Sequence, residues 1–245
     1  MAGSLPEDTR GIIDPAAMMR HVDFARFPAG DALDGLVEWF WSVAWDLPAG
    51  SVLDQQVLNH PAGNISVGTL DDGGVRLDPP EGRVYGVATG VSERHIAANG
   101  WTVAARTTVG GLGVFLDAPA KTATDAQLTF ATALPGIDGA GAVSVVSVES
   151  ENEARVDVLR TVLGDLVSRR EPVLVSEARE IWAVARLAEH DRSVCRVEAA
   201  EAARAAINLG KQWQGWATVA AELGYADQAH LGTSPSAYLA RTTNQ

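Results

Sequence analysis

The chain has 245 residues, 47% of them apolar and 20% charged, which is enough for one large domain or two small ones with a real core. That composition excludes an intrinsically disordered protein. The formal net charge of -12 argues against unspecific binding to nucleic acid or anionic membranes, while leaving room for one basic DNA-reading face.

Residues 1–19 read as a frayed arm, because Glu7, Asp8, Arg10 and Asp14 leave no apolar core for a secretory signal. From Arg20 to about Leu116 the apolar runs are short and broken by turn residues. Leu36–Trp45 is aromatic and β-branched, and Pro48-Ala49-Gly50 ends it. Gln56–Val67 follows around Pro61 and Gly63, and Asp71-Asp72-Gly73-Gly74 is a hairpin signal. Val84–Val91, Trp101–Val109 and Gly113–Leu116 complete the set. Short strands at this spacing, with no helical period between them, predict a barrel or sandwich over 20–117.

Ala118–Gly141 is rich in Ala, Thr, Gly and Pro and shows no strong element, so 118–150 reads as a linker. After Glu149 the period changes. Val156, Leu159, Val162, Leu163, Leu166 and Val167 predict an amphipathic helix over Glu151–Arg169. A further helix opens at Ser176, with Ile181, Trp182 and Ala185 facing inward, and closes a helical region over 151–190. In the last segment, 191–245, helices are predicted over Val197–Leu209, Gly215–Leu223 and Ser236–Arg241, punctuated by Gly210, Gly224 and Ser234-Pro235. The fold class is therefore α+β, a β-rich barrel-like part followed by helices.

Motifs for catalysis are missing. His21, His60, His95, His190 and His230 form no close pair of metal-ligand spacing. The run Gly110-Gly111-Leu112-Gly113 lacks the strand–helix setting of a dinucleotide site. There is no phosphate-cradling Gly-Lys-Ser/Thr loop and no nucleophile elbow. No enzyme, cofactor or metal is expected. Cys195, the single cysteine, forms no intramolecular disulfide and suits a reducing cytoplasm; between Arg192 and Arg196 it is read as a half-buried helix-start residue. No apolar run is long enough to span a bilayer, so no membrane partner is expected.

Two binding features stand out. Trp39, Phe40, Trp41 and Trp45 crowd one predicted strand, with Trp39 and Trp41 on one face and Phe40 on the other. They either fill the core or line a pocket for a small molecule, with His60 and Asn64 as polar anchors beside a proline turn. Trp216–Leu231 has the spacing of a helix-turn-helix: Ala220 four before Gly224, with Val219 and Leu223 as packing positions. Asp227 then caps a second helix whose first polar residues, Gln228 and His230, face outward. Gln is suited to a bidentate pair with adenine, though the same geometry serves non-DNA roles.

Leu223-Gly224-Tyr225-Ala226-Asp227-Gln228-Ala229-His230-Leu231 with Ser234-Pro235-Ser236-Ala237-Tyr238 closely resembles the second helix-turn-helix of AraC/XylS-type transcription regulators. Glu201-Ala202-Ala203-Arg204 and Trp216-Ala217 are similar to the linker helix and helix start of that domain. Trp39-Phe40-Trp41, Trp45-Asp46-Leu47-Pro48 and Asn59-His60-Pro61 resemble the sensor region of one branch of the family. The resemblance implies a cupin-like N-terminal sensor for an unknown small-molecule effector, then a helical region, then a DNA-binding domain; Trp213 and Trp216 on the shortened helical surface separately suggest a homodimer contact. The base-facing residues of the DNA-binding domain would be Asp227, Gln228 and His230.

Two departures weaken the DNA-binding expectation. After Asp191-Arg192-Ser193-Val194 the complete first helix-turn-helix of the family is lacking, and Gly232-Thr233-Ser234-Pro235 cuts the second recognition helix short. Asp227–Leu231 spans roughly 7–8 Å at about 1.5 Å per residue, little more than one turn. From Asp191 onward, Arg192, Arg196, Arg204, Lys211 and Arg241 are matched by Asp191, Glu198, Glu201, Glu222 and Asp227, so no basic surplus strengthens phosphate contact. A regulator with weakened DNA binding is the leading expectation. A sensor or dimerisation module that does not bind DNA is the alternative.

Overall fold

Alternation along β2 (Val37–Asp46) sets the architecture: Phe40 is fully buried on one side of the strand while Trp39 and Trp41 occupy the other. The computed structural model describes residues 18–57, 62–70, 74–88, 92–134 and 136–183. They belong to one unit, Met1–Ala88 with Ser92–Ala183. The predicted helix-turn-helix, with Asp227, Gln228 and His230, lies outside the described residues, as do Cys195 and His60.

The main sheet has six antiparallel strands in the order β1 (Val22–Pro28), β2, β7 (Asn99–Thr107), β4 (Asn64–Leu70), β5 (Arg76–Tyr85) and β8 (Gln127–Thr129). A separate two-stranded ribbon pairs β3 (Val52–Val57) with β6 (Ser92–Ala97). The unit is thus α+β, an antiparallel sheet followed by helices. Strand β4 pairs directly with β5, as a hairpin signal between them requires. Val84–Val91 gives way to the end of β5 at Tyr85, and Gln56–Val67 is divided between β3 and β4.

Register explains where the core sits, because directly paired residues share a face. Phe27, Phe40, Ala105, Ile65, Val84 and Leu128 are successive partners across all six strands. All six belong to the larger apolar cluster. Against this face lies α4 (Asn152–Ser168), which packs on β2 and β7 and buries Val156, Leu159, Leu163, Leu166 and Val167. Arg155 of α4 stacks over the Trp101 ring at 4.1 Å. Burial lowers its basicity, and Glu151 and Glu149 oppose that effect.

A second, smaller cluster fills the other side of the sheet at one end, where Val22, Val43, Trp45 and Leu47 meet Leu53 and Ile96 from the ribbon. Met18 is buried here, so ordered structure begins inside the segment read as an arm.

Several expectations are corrected. Gly113–Leu116 is not a strand: α1 (Leu112–Phe115) is a single helical turn, entered from Gly110 at φ +89°. Its apolar residues satisfied a strand pattern because so short a run has no distinguishable period. Residues 118–150 are not a bare linker. They hold β8, α2 (Phe130–Ala133) and α3 (Gly139–Val148), and β8 extends the main sheet. Phe130 fills the space beside Gly82, where a Cβ would lie 2.5 Å from its ring. Within the segment, a Cβ at Gly139 would lie 3.0 Å from the Phe130 Cβ, so glycine there permits close packing.

Helix α5 (172–183) begins four residues before Ser176. Ile181 is 50% exposed rather than inward, and among the described residues of this helix only Ala178 is buried. Polar contacts hold this helix instead: Arg179 Nε donates to the Asp34 carbonyl at 3.0 Å and Nη2 to that of Ala32 at 3.3 Å.

Candidate functional site

One residue along from the apolar row runs a row of different chemistry. Pro28, Trp39, Arg106, Asn64, Tyr85 and Gln127 are successive partners across the same six strands. The next row on this face is Arg26, Trp41, Ala104, Ser66, Arg83 and Thr129. Towards Val22 and Trp45 the face becomes apolar and is covered by the ribbon. At the Asn64 end it is polar and aromatic.

The candidate pocket residues are brought together in part. Trp41 Nε1 donates to Asn64 Oδ1 at 3.1 Å. That bond engages one of the two lone pairs of the Asn64 side-chain carbonyl and orients the amide. The amide nitrogen makes no hydrogen bond to any described residue. Trp39 lies in the same row but is already engaged: Arg26 stacks over its ring at 4.6 Å and Arg106 at 4.5 Å, from the strands on either side. Arg106 also pairs with Glu38 at 3.1 Å. Such stacking is favourable by about 0.5–2 kcal/mol per pair and orients the guanidinium. Trp45 stands apart, 6% exposed in the smaller cluster, with its indole N–H donating to the Ala97 carbonyl at 3.1 Å. Of the two weighed roles, core filling describes Trp45, whereas Trp41 and Asn64 border the polar face.

Three residues on this face were not singled out by sequence. Arg26 and Arg106 are strand residues flanked by small or apolar neighbours, and their register identifies them as facing Trp39. Tyr85 accepts from Gln127 Nε2 at 2.9 Å through its hydroxyl, and Arg94 of the ribbon stacks over its ring at 5.2 Å. A charged residue recurring at strand period amid apolar ones is the signal that would have found them.

Asn64 is held from behind. Thr107, fully buried on the opposite face, accepts from the Gly63 N–H at 3.1 Å through Oγ1. Its own hydroxyl proton goes to the Gly63 carbonyl at 3.3 Å. A Cβ at Gly63 would lie 2.7 Å from Leu112 Cδ2 and 2.9 Å from the Tyr85 carbonyl, so glycine is needed where α1 meets β4. The site is therefore built on the strands, with one hydroxyl and one helical turn fixing its central amide.

Elsewhere, His95 Nδ1 and Asp54 Oδ1 lie 2.6 Å apart on the outside of the ribbon. Among the described residues no three His, Cys, Asp or Glu side chains gather as a metal centre requires. Among them, too, no helix is long and apolar enough to cross a membrane.

A family described as a domain of unknown function, DUF6597, matches residues 25–129. The match runs from within β1 to the last residue of β8 and takes in both rows of the polar face. No curated protein and no solved structure matches the chain.

Proposed function

We propose that the chain is a non-catalytic, cytoplasmic transcription regulator of AraC type with weakened DNA binding, in which the β-rich unit is a cupin-like sensor of a small molecule. The observation that carries the sensing role is the Asn64 amide, held by Trp41 and turned to a polar, aromatic end of an otherwise packed sheet. A fold that needed only stability would gain more from apolar residues along that row, because each buried polar group must be matched. The DNA-binding role rests on the resemblance of Leu223–Tyr238 to a family helix-turn-helix, with Asp227, Gln228 and His230 as its base-facing residues. No cofactor enters this reading.

Fluorescence anisotropy of the full chain against promoter fragments tests it. Weak binding that falls steeply with salt is expected, since phosphate contacts release counterions. Absence of binding even at low salt would remove the DNA-reading role. The second reading, a sensor or interaction module without DNA binding, is favoured by α3, where Val145 is 49% and Val148 80% exposed. Light scattering tests it: a strict monomer at high concentration, with no ligand-induced rise in melting temperature, counts against it.

A further inference from the structure

Helix α5 is seated differently from α4. Five apolar side chains of α4 are buried against the sheet, whereas α5 buries Ala178, packs Val175 partly against the larger core and leaves Val173, Leu174 and Ile181 exposed. Its seat is a pair of glycines in the left-handed region, one from each of two loops. A Cβ at Gly35, at φ +76°, would lie 2.9 Å from Arg179 Cγ and 3.7 Å from Arg179 Cα. A Cβ at Gly110, at φ +89°, would lie 3.1 Å from Ile181 Cγ2. The helix therefore rests on bare backbone.

The carbonyls of the loop between β1 and β2 show what holds it there. Those of Gly30, Asp31 and Leu33 accept from N–H groups of the loop itself. Those of Ala32 and Asp34 accept from Arg179. Those of Gly35 and Leu36 accept from the Thr108 hydroxyl at 2.9 and 3.3 Å, and the Leu36 carbonyl accepts from the Thr108 N–H at 2.9 Å. One residue earlier, the Thr107 hydroxyl holds both backbone groups of Gly63, the neighbour of Asn64. Two consecutive buried threonines thus clamp two loops: the one entering β4 at Asn64 and the one on which α5 sits.

We propose that α5 is a releasable strap, with Arg179 as its latch and Thr107–Thr108 as a positioning pair that couples its seating to the backbone before Asn64. A short helix depends on its packing, and α5 has little of it. Water replaces much of what hydrogen bonds from an exposed guanidinium contribute, so α5 opens locally at far less cost than unfolding the sheet. In the sequence α5 leads directly into residues 184–245, and its release adds its length to that connection. Neither DNA reading nor a particular ligand is required for this device.

Amide hydrogen exchange of the full chain, resolved by residue, tests it. The amides of α5 should be protected about tenfold or more less than those of α4. Arg179 is exposed, and Arg179→Met keeps its stem over Gly35 while removing both donors. This variant should speed exchange in α5 about tenfold and leave α4 unchanged. Coupling is reciprocal, so it should also speed exchange of the Gly63 N–H. Thr108→Val should speed exchange in α5 about threefold or more, and Thr108→Ser, which restores the hydroxyl, should reverse this. Equal protection of α5 and α4 would mean that the helix leaves only when the whole unit unfolds, and would overturn the strap. Unchanged α5 exchange in Arg179→Met would overturn the latch. Faster α5 exchange in Arg179→Met with the Gly63 N–H unmoved would overturn the coupling, even if Thr108→Val failed to fold.

Discussion

Two rows of the same sheet, one residue apart in every strand, have been put to opposite uses. Phe27, Phe40, Ala105, Ile65, Val84 and Leu128 face α4 and form core; Pro28, Trp39, Arg106, Asn64, Tyr85 and Gln127 face away and form a polar surface. Because side chains alternate with a period of two, one strand sequence serves both without compromise. The larger core lies on the helix-covered face, while the other face is apolar under the ribbon and polar and aromatic at the Asn64 end.

The largest effect belongs to the apolar row. Phe40→Ala removes a fully buried ring from between Phe27 and Ala105 and should cost about 3–5 kcal/mol, read by urea unfolding. A loss below about 1 kcal/mol would mean that this face tolerates a cavity and that the two rows are not energetically distinct.

Next come the residues that join the faces. Thr107→Val keeps the shape but leaves the Gly63 N–H without its hydroxyl acceptor, at a cost of about 1–3 kcal/mol. Gly63→Ala forces a Cβ against Leu112 and the Tyr85 carbonyl and should cost about 1–3 kcal/mol. Both changes should also weaken any ligand response through Asn64, since Gly63 is its chain neighbour. A variant that loses stability while keeping ligand affinity would show that the back face does not position the site.

How legible this was in the sequence differs by row. The Trp39–Phe40–Trp41 alternation is readable from period alone, and the structure divides these residues between the faces as that period requires. Helix α4 is readable for the same reason: its apolar residues repeat over seventeen positions, Asn152–Ser168. The polar face was only glimpsed, through Trp39 and Asn64 in one row and Trp41 in the next. Arg106, Tyr85 and Gln127, in the row of Asn64, come from strands 21–63 residues away from it, and only register brings them together. Short elements were the least legible. Leu112–Phe115 is too brief to show a period, and Gly82 and Phe130 reveal their packing only when paired in space.

A smaller effect is expected at the start of α3. Asp138 accepts from the Gly141 N–H at 3.0 Å and caps a helix that lies outside both rows. Asp138→Ala should cost about 1 kcal/mol, the usual cost of losing such a cap, with no change in ligand response.

The smallest effect lies on the polar face itself. Arg83 pairs with Glu81 at 2.8 Å, and the Glu81 side chain is 44% exposed. A solvent-exposed pair contributes little, because water screens it and two flexible side chains must be held still. Arg83→Gln should therefore change stability by less than about 1 kcal/mol, while Phe40→Ala, three strands away on the other face, costs several times more. If the two variants proved equally destabilising, the polar face would be structural, and the reason for reading it as a binding surface would be lost. If Arg83→Gln is silent in unfolding, folding stability and the polar face are separated across the thickness of one sheet.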